Sequence, residues 1–191
     1  SVLQATTWQC TAPGASRPYM DFCKSAVNYD VAVPSPAGGT QTLQSLLQAQ
    51  DNAAATAYFY HLAGMLLDAW DHQHPWEDDN PCIRAIWQMT CNTYFPRPVA
   101  GCQSGQSTPY LRPCGNVCTN YVKACEVQCC DESSKCPVAA SSNDGQISGL
   151  QAYDAAEGPS GTCTGDAARH AGYRAGGLPL LVVLVGLVLQ F

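Results

Sequence analysis

Apolar residues recur at spacings of mostly three and four along residues 43–70, which is the clearest pattern in the chain. Residues spaced in this way lie on one face of a helix, so the pattern predicts a long amphipathic helix. Thr40 or Thr42 offers an N-cap, and we expect the helix to end before His74 and Pro75. The apolar face consists of Leu43, Leu46, Leu47, Ala54, Tyr58, His61, Leu62, Met65, Leu66, Ala69 and Trp70.

Two shorter helices are predicted further along the chain, and the first 40 residues have a different character. Prolines and a Gly-Gly pair in those residues are typical of loop and extended chain, with one short strand over residues 27–33. Phe95-Pro96 should end the second helix, because the residue before a proline disfavours helical geometry. The shared faces are Cys82, Ile83, Ile86, Trp87 and Thr90 in the second helix and Cys118, Tyr121, Val122 and Cys125 in the third.

The C-terminal part of the chain changes composition twice. Residues 138–177 are rich in Ser, Gly and Ala, which is typical of an extended linker, and residues 178–191 are almost entirely apolar. We therefore predict a domain over residues 1–137, a linker over 138–177 and an apolar tail over 178–191. As a helix the tail would be about 21 Å long, which is too short for the roughly 30 Å hydrocarbon core of a membrane.

Charge and cysteine content limit the classes of function. A formal net charge of -6, with nine scattered Lys and Arg residues, excludes nucleic-acid binding. The twelve cysteines lack the paired spacing of zinc sites, so they predict disulfides and an extracellular or cell-surface protein whose secretory signal has been removed. The predicted disulfide cysteines are Cys10, Cys23, Cys82, Cys91, Cys102, Cys114, Cys118, Cys125, Cys129, Cys130, Cys136 and Cys163.

The order of these cysteines resembles that of the Frizzled cysteine-rich domain. Two early cysteines and a long helix precede Cys82-x8-Cys91, Tyr94-Phe95-Pro96, Cys102 and Pro113-Cys114-x3-Cys118-x6-Cys125. The resemblance covers residues 10 to about 136, and it implies a mainly α, small disulfide-rich helical domain with short strands and long loops. It also implies the pairs Cys10–Cys102, Cys23–Cys91 and Cys82–Cys125. Cys114 and Cys118 would then pair with two of four later cysteines, and these pairings stay open: Cys129, Cys130, Cys136 and Cys163.

Candidate sites for ligands are few. No catalytic motif is present, so we predict no enzyme, no catalytic residue and no cofactor. The cluster Asp68, Asp71, His72, His74, Glu77, Asp78 and Asp79 lacks the spacing of a calcium-binding loop, so a solvated loop is favoured over a metal site. In Frizzled-like domains a groove can receive a lipid chain or an apolar side chain of a partner. The candidate groove residues are Tyr58, Phe59, Trp70 and Trp87, with burial in the core as the favoured alternative.

The apolar tail leads to two functional hypotheses. In the first, a non-catalytic extracellular subunit self-assembles into a filament or surface coat, because the tail docks on a neighbouring subunit. In the second, residues 165–191 form a GPI-anchor signal that is removed, and a Frizzled-like domain at the cell surface binds a protein or lipid ligand. Since no N-glycosylation sequon is present, any glycans would be O-linked. The docking residues of the first hypothesis are Leu180, Leu181, Val182, Val183, Leu184, Val185, Leu187, Val188 and Leu189.

Overall fold

Helices are the main regular elements of the computed structural model, which describes residues 7–35, 41–127 and 161–165. Together with the disulfides, they make the described residues a small, disulfide-rich, mainly α domain, as the sequence predicted. In chain order the elements are β1 (Trp8–Thr11), α1 (Pro13–Ser16), a 3-10 turn (Arg17–Tyr19), β2 (Val31–Pro34), α2 (Leu43–Gly64), α3 (Pro81–Tyr94), β3 (Arg97–Pro98), β4 (Tyr110–Leu111) and α4 (Gly115–Cys125).

Helix α2 begins as predicted, at a capping box. The Ser45 amide donates to the Thr42 hydroxyl at 3.1 Å, and the Thr42 amide donates to the Ser45 hydroxyl at 3.0 Å. These bonds satisfy two amides that the first helical turn leaves without a partner. The buried face of the helix consists of Leu47, Asp51, Ala54, Tyr58 and Leu62.

The predicted end of this helix was wrong, because α2 stops at Gly64 and the chain then reverses. The Leu67 amide donates to the Leu62 carbonyl at 2.9 Å, and the Leu66 amide donates to the Ala63 carbonyl at 3.1 Å. This Schellman arrangement places Leu66 in the left-handed region, with φ 60°. Consequently Trp70, which was placed on the buried stripe, is 80% exposed.

Helices α3 and α4 are confirmed and lie antiparallel. Asn80 caps α3 by accepting from the Cys82 amide at 2.9 Å, and Pro81 occupies the first helical position, where its missing N–H costs nothing. A disulfide joins Cys82 at the start of α3 to Cys125 at the end of α4. The predicted inward faces are largely buried, at Ile83, Ile86, Trp87 and Thr90 in α3 and at Cys118 and Tyr121 in α4.

Two short antiparallel ribbons complete the domain. Strand β2 overlaps the predicted strand, whereas β1, which pairs with it, was not predicted from the sequence. The outer edge of β1 is covered, because the Cys10 amide donates to the Gln106 carbonyl at 2.9 Å and the Thr108 amide donates to the Trp8 carbonyl at 3.0 Å. The outer edge of β2 bonds through Ala32 to the Pro96 carbonyl at 2.7 Å.

The disulfides agree in part with the pairs that the resemblance implied. Cys118 is also disulfide-bonded, whereas Cys129, Cys130 and Cys136 lie outside the described residues. The bridge to Cys163 selects one of the alternatives that the sequence left open for Cys114. The three bridges between described residues are Cys23–Cys91, Cys82–Cys125 and Cys114–Cys163.

The implied bridge between Cys10 and Cys102 is not formed, and both residues are free thiols. The Cys10 thiol donates to the backbone carbonyl of Cys102 at 3.2 Å, and no disulfide joins the two sulfurs. Burial, followed by the adjacent Cys102 thiol, raises the pKa of Cys10 to about 12. The prediction of a disulfide at this position is therefore corrected to a neighbouring pair of thiols.

Residues 161–165 belong to the domain, although the sequence analysis placed them in the linker. The Thr164 amide donates to the Arg112 carbonyl at 2.8 Å, and the Thr164 carbonyl accepts from the Cys114 amide at 2.7 Å. The Thr164 hydroxyl accepts from the Arg97 amide at 2.7 Å. The rest of the predicted linker and the whole predicted tail, with its docking residues, lie outside the described residues.

Within residues 7–35, 41–127 and 161–165, none of the helices combines the length and the apolar character needed to span a bilayer.

Candidate functional site

The four residues predicted as a groove do not line one surface. Tyr58 and Trp87 are buried around Phe22, whose ring centroid is 5.2 Å from that of Tyr58. The Trp87 indole N–H donates to the Phe22 carbonyl at 3.0 Å, which satisfies its polar group inside the core. Phe59 is partly buried against the same cluster, and Trp70 lies in solvent. The structure therefore fits the core interpretation for Tyr58 and Trp87.

A buried carboxylate on α2 holds the turn that leads into this core. Asp51 is 4% exposed, and its Oδ2 accepts from the amides of Asp21 at 2.7 Å and Phe22 at 2.8 Å. Its Oδ1 accepts from the Cys23 amide at 2.9 Å. Because Cys23 is also bridged to Cys91 on α3, this turn is attached to both long helices. The sequence analysis missed Asp51, although it is the single charged residue within an otherwise uncharged helix.

An open cleft lies where the chain passes from α2 to α3, and it is the candidate functional site. Its volume is about 390 Å³. The Tyr58 hydroxyl donates to the His72 carbonyl at 3.0 Å, which fixes the floor of this loop to the core. The cleft is lined by Trp70, Asp71, Gln73, His74, Glu77 and Asp78.

The cleft is acidic, and one of its carboxylates, Asp78, lies against a histidine ring. His72 Nδ1 lies 2.6 Å from Asp78 Oδ2, while Asp78 Oδ1 accepts from the Asn80 amide at 2.8 Å and so positions the start of α3. Burial, with a smaller contribution from the Asp78 charge, raises the pKa of Tyr58 well above its ordinary range. In the described part of the chain, no Lys or Arg forms an ion pair with Asp71 or Glu77.

The cleft does not have the arrangement of a metal centre. Across the ranges that the structure describes, no three His, Cys, Asp or Glu side chains are grouped closely enough to hold a metal ion. An exposed indole ring beside carboxylates is instead suited to cationic and apolar groups, because the ring face and the carboxylates both attract positive charge. The cleft can therefore bind such a group by contact alone.

Leu66, four residues before Trp70, adds an unusual apolar surface. It is 94% exposed, and its left-handed backbone costs roughly 1–2 kcal/mol relative to glycine. Leucine is therefore unfavourable at this position in two ways: its backbone is strained, and its apolar side chain is exposed to water. The sequence analysis assigned Leu66 and Trp70 to a helical core stripe, so it could not identify them as surface residues.

Gly165 packs closely against the start of α4. A Cβ atom at Gly165 would lie 3.1 Å from a Val117 methyl group and 3.3 Å from the Cys114 sulfur, so the backbone packs directly on the first turn of α4. Gly165, Cys163 and Thr164 are all buried. Residues 163–165 are therefore held against the start of α4, and the residues that follow lie outside the described part of the chain.

Known proteins give no further guidance. Comparisons with models of protein families, with curated proteins and with solved structures find no match for this chain. The functional argument therefore rests on the residues and on the geometry described above.

Proposed function

We propose that the protein is a non-catalytic extracellular subunit that self-assembles through docking of residues 178–191 on a neighbouring subunit. The observation that carries this proposal is the almost entirely apolar sequence of residues 178–191. Burial of such a segment against a partner removes its side chains from contact with water. The described residues form a domain with its own hydrophobic core and disulfides.

The geometry of the domain supports a head-to-tail arrangement. Gly165 packs on Cys114 and Val117 at the start of α4, beside the end of α3. The cleft lies at the opposite end of α3, next to Asn80. Helix α3 has 14 residues and is therefore about 21 Å long. A donor and an acceptor at opposite ends make a heterologous contact, which propagates into rings or filaments.

The mode of docking is expected to be side-chain burial. Addition of a strand needs an unpaired sheet edge. Both outer edges of the β1–β2 ribbon already bond to other segments, through residues 105–108 on one side and Pro96 on the other. Burial of several Leu and Val side chains, at about 1.5–3 kcal/mol each, is sufficient to hold subunits together.

The extracellular location rests on the disulfides, which persist in oxidising compartments.

The proposal that the domain is of the Frizzled type rests on its cysteine order and on two of the three implied bridges, Cys23–Cys91 and Cys82–Cys125. A test is to map the cysteine bonded to Cys118 by mass spectrometry of peptides. A bond to Cys129, Cys130 or Cys136 would agree with the resemblance.

Deletion of residues 178–191 tests the self-assembly directly. We expect the full chain to form large particles in light scattering and the deleted chain to be monomeric. If the tail acts in assembly and not in folding, the deleted chain should keep its far-UV circular dichroism and its unfolding midpoint. Unchanged particle size after deletion would reject the proposal.

A GPI-anchored interaction domain is the second candidate function, and the position of Gly165 favours it as well. The layout of an anchor signal starts at residue 165, two residues after the cysteine that forms the Cys114–Cys163 disulfide. Processing there would leave the domain intact at a membrane, where it could bind a protein or lipid ligand. The intact mass of the native protein distinguishes the two functions. Loss of the tail together with a gained glycolipid would support the anchor and exclude tail docking.

A further inference from the structure

An exposed surface at the α2–α3 connection combines apolar and acidic groups. We define the acceptor surface as Leu66 together with the cleft residues from Trp70 to Asp78. Leu66 is 94% exposed and Trp70 is 80% exposed, and they are two of the most exposed large apolar side chains among the described residues. Leu66 also keeps a left-handed backbone that glycine would adopt without strain. Leucine at this position costs backbone strain and exposes apolar surface to water. A contact with a partner that buries the side chain would offset both costs.

The charges of the acceptor surface are open to a partner. Asp71 and Glu77 line the cleft, and within the described ranges neither forms an ion pair with Lys or Arg. The exposed Leu66 and Trp70 and the carboxylates of the cleft lie in the same connection between α2 and α3. Together they are complementary to a segment that is basic and then apolar. An anionic membrane surface is disfavoured, because the carboxylates would repel it.

One segment of this chain has the complementary chemistry. Residues 167–191 contain Arg169, His170 and Arg174 but no Asp or Glu. The apolar residues 178–191 follow directly, and they carry no charge. This segment begins just beyond Gly165 and lies outside the described residues.

Docking on a second molecule follows from the proposed head-to-tail assembly. Gly165 lies near the end of α3 and the cleft lies near its start, and this helix is about 21 Å long. The 1:1 dimer expected from two complementary variants, described below, distinguishes this arrangement from docking within one molecule.

From these observations we infer that the acceptor surface binds residues 169–191 of a second copy of this chain. The apolar tail covers Leu66 and Trp70, and Arg169 and Arg174 lie against the carboxylates of the cleft. The inference rests on the proposed self-assembly and adds the surface that receives the tail.

Complementation between two deficient variants of the full chain tests the inference. The first carries Leu66→Gly and Trp70→Ala, which removes the acceptor but keeps the donor. It should fold, because glycine suits the backbone at residue 66 and Trp70 is in solvent. The second lacks residues 178–191, which removes the donor but keeps the acceptor. Val99→Ser, an exposed apolar site on a different loop, is the matched control.

We expect each deficient variant to be monomeric by sedimentation velocity and their mixture to form a 1:1 dimer. The double substitution should weaken association about a hundredfold, and the Val99→Ser control should assemble like the unmodified chain. If the acceptor variant assembles normally while the deletion variant is monomeric, the tail docks elsewhere, and only this inference is overturned. If the deletion variant still assembles, the proposed function itself fails.

A charge swap tests the polar part of the contact. Arg169→Glu with Arg174→Glu should weaken association about tenfold at low salt, and less at high salt, where surface charges are screened. Adding Asp71→Lys with Glu77→Lys in the same chain should restore it. No weakening, or weakening without restoration, would show that these charges do not meet and would overturn the assigned pairing.

Discussion

Asp51 is the residue whose substitution should affect stability most clearly. It accepts three backbone amides through its two carboxylate oxygens, at 2.7, 2.8 and 2.9 Å. The residues that donate belong to the turn at residues 21–23, which carries Phe22 into the aromatic core. Asp51→Ala removes the acceptor of all three bonds and leaves the surrounding fold otherwise unchanged.

The magnitude follows from the burial of each donor. The amides of Phe22 and Cys23 are buried and would lose their partner, at about 1–3 kcal/mol each. The amide of Asp21 is partly exposed and can turn to water. We therefore expect Asp51→Ala to lower the free energy of unfolding by about 4 kcal/mol. Asp51→Asn keeps one acceptor oxygen but no charge, so its cost should be about half as large.

The assay is guanidinium denaturation under non-reducing conditions, followed by tryptophan fluorescence and far-UV circular dichroism. Asn52→Ala is the control, because Asn52 is the exposed neighbour of Asp51 on the same helix, and its substitution should change stability by less than about 0.5 kcal/mol. If Asp51→Ala costs no more than the control, the turn finds other acceptors and the reasoning is refuted.

Three further predictions concern backbone strain, close packing and thiols. Leu66→Gly should raise the free energy of unfolding by about 1 kcal/mol, since it removes a left-handed leucine, and a loss of stability would contradict the backbone assignment. Gly165→Ala should lower the free energy of unfolding by about 1 kcal/mol, because the added Cβ would lie 3.1 Å from a Val117 side-chain carbon. The control is Gly161→Ala, where an added Cβ meets nothing within 4 Å, and it should have little effect in the same denaturation assay. Iodoacetamide at pH 8 should modify the half-buried Cys102 before Cys10, because Cys10 is buried and its pKa is raised to about 12. Peptide mass spectrometry measures the order of labelling, and faster labelling of Cys10 would contradict the structure.

The sequence by itself predicted the disulfide-rich character of the domain and its main helices. The starts of α2 and α3 follow from local groups, at Thr42 and at Asn80 with Pro81, because capping needs only residues within one turn. The end of α3 at Tyr94 also follows locally, from the proline two residues later. The apolar face of α3 was predictable since periodicity directly reports which side of a helix is buried.

Only the tertiary structure decided where α2 ends and which cysteines meet. The apolar spacing continues to Trp70, yet the chain turns at Leu66, because Leu67 packs on the core and the Tyr58 hydroxyl holds the returning loop. The partner of Cys114 was equally hidden, since a disulfide depends on distance in space and not on spacing in sequence. The cleft and the buried end of the fold at Gly165 arise in the same way, from segments that are distant along the chain and adjacent only once it has folded.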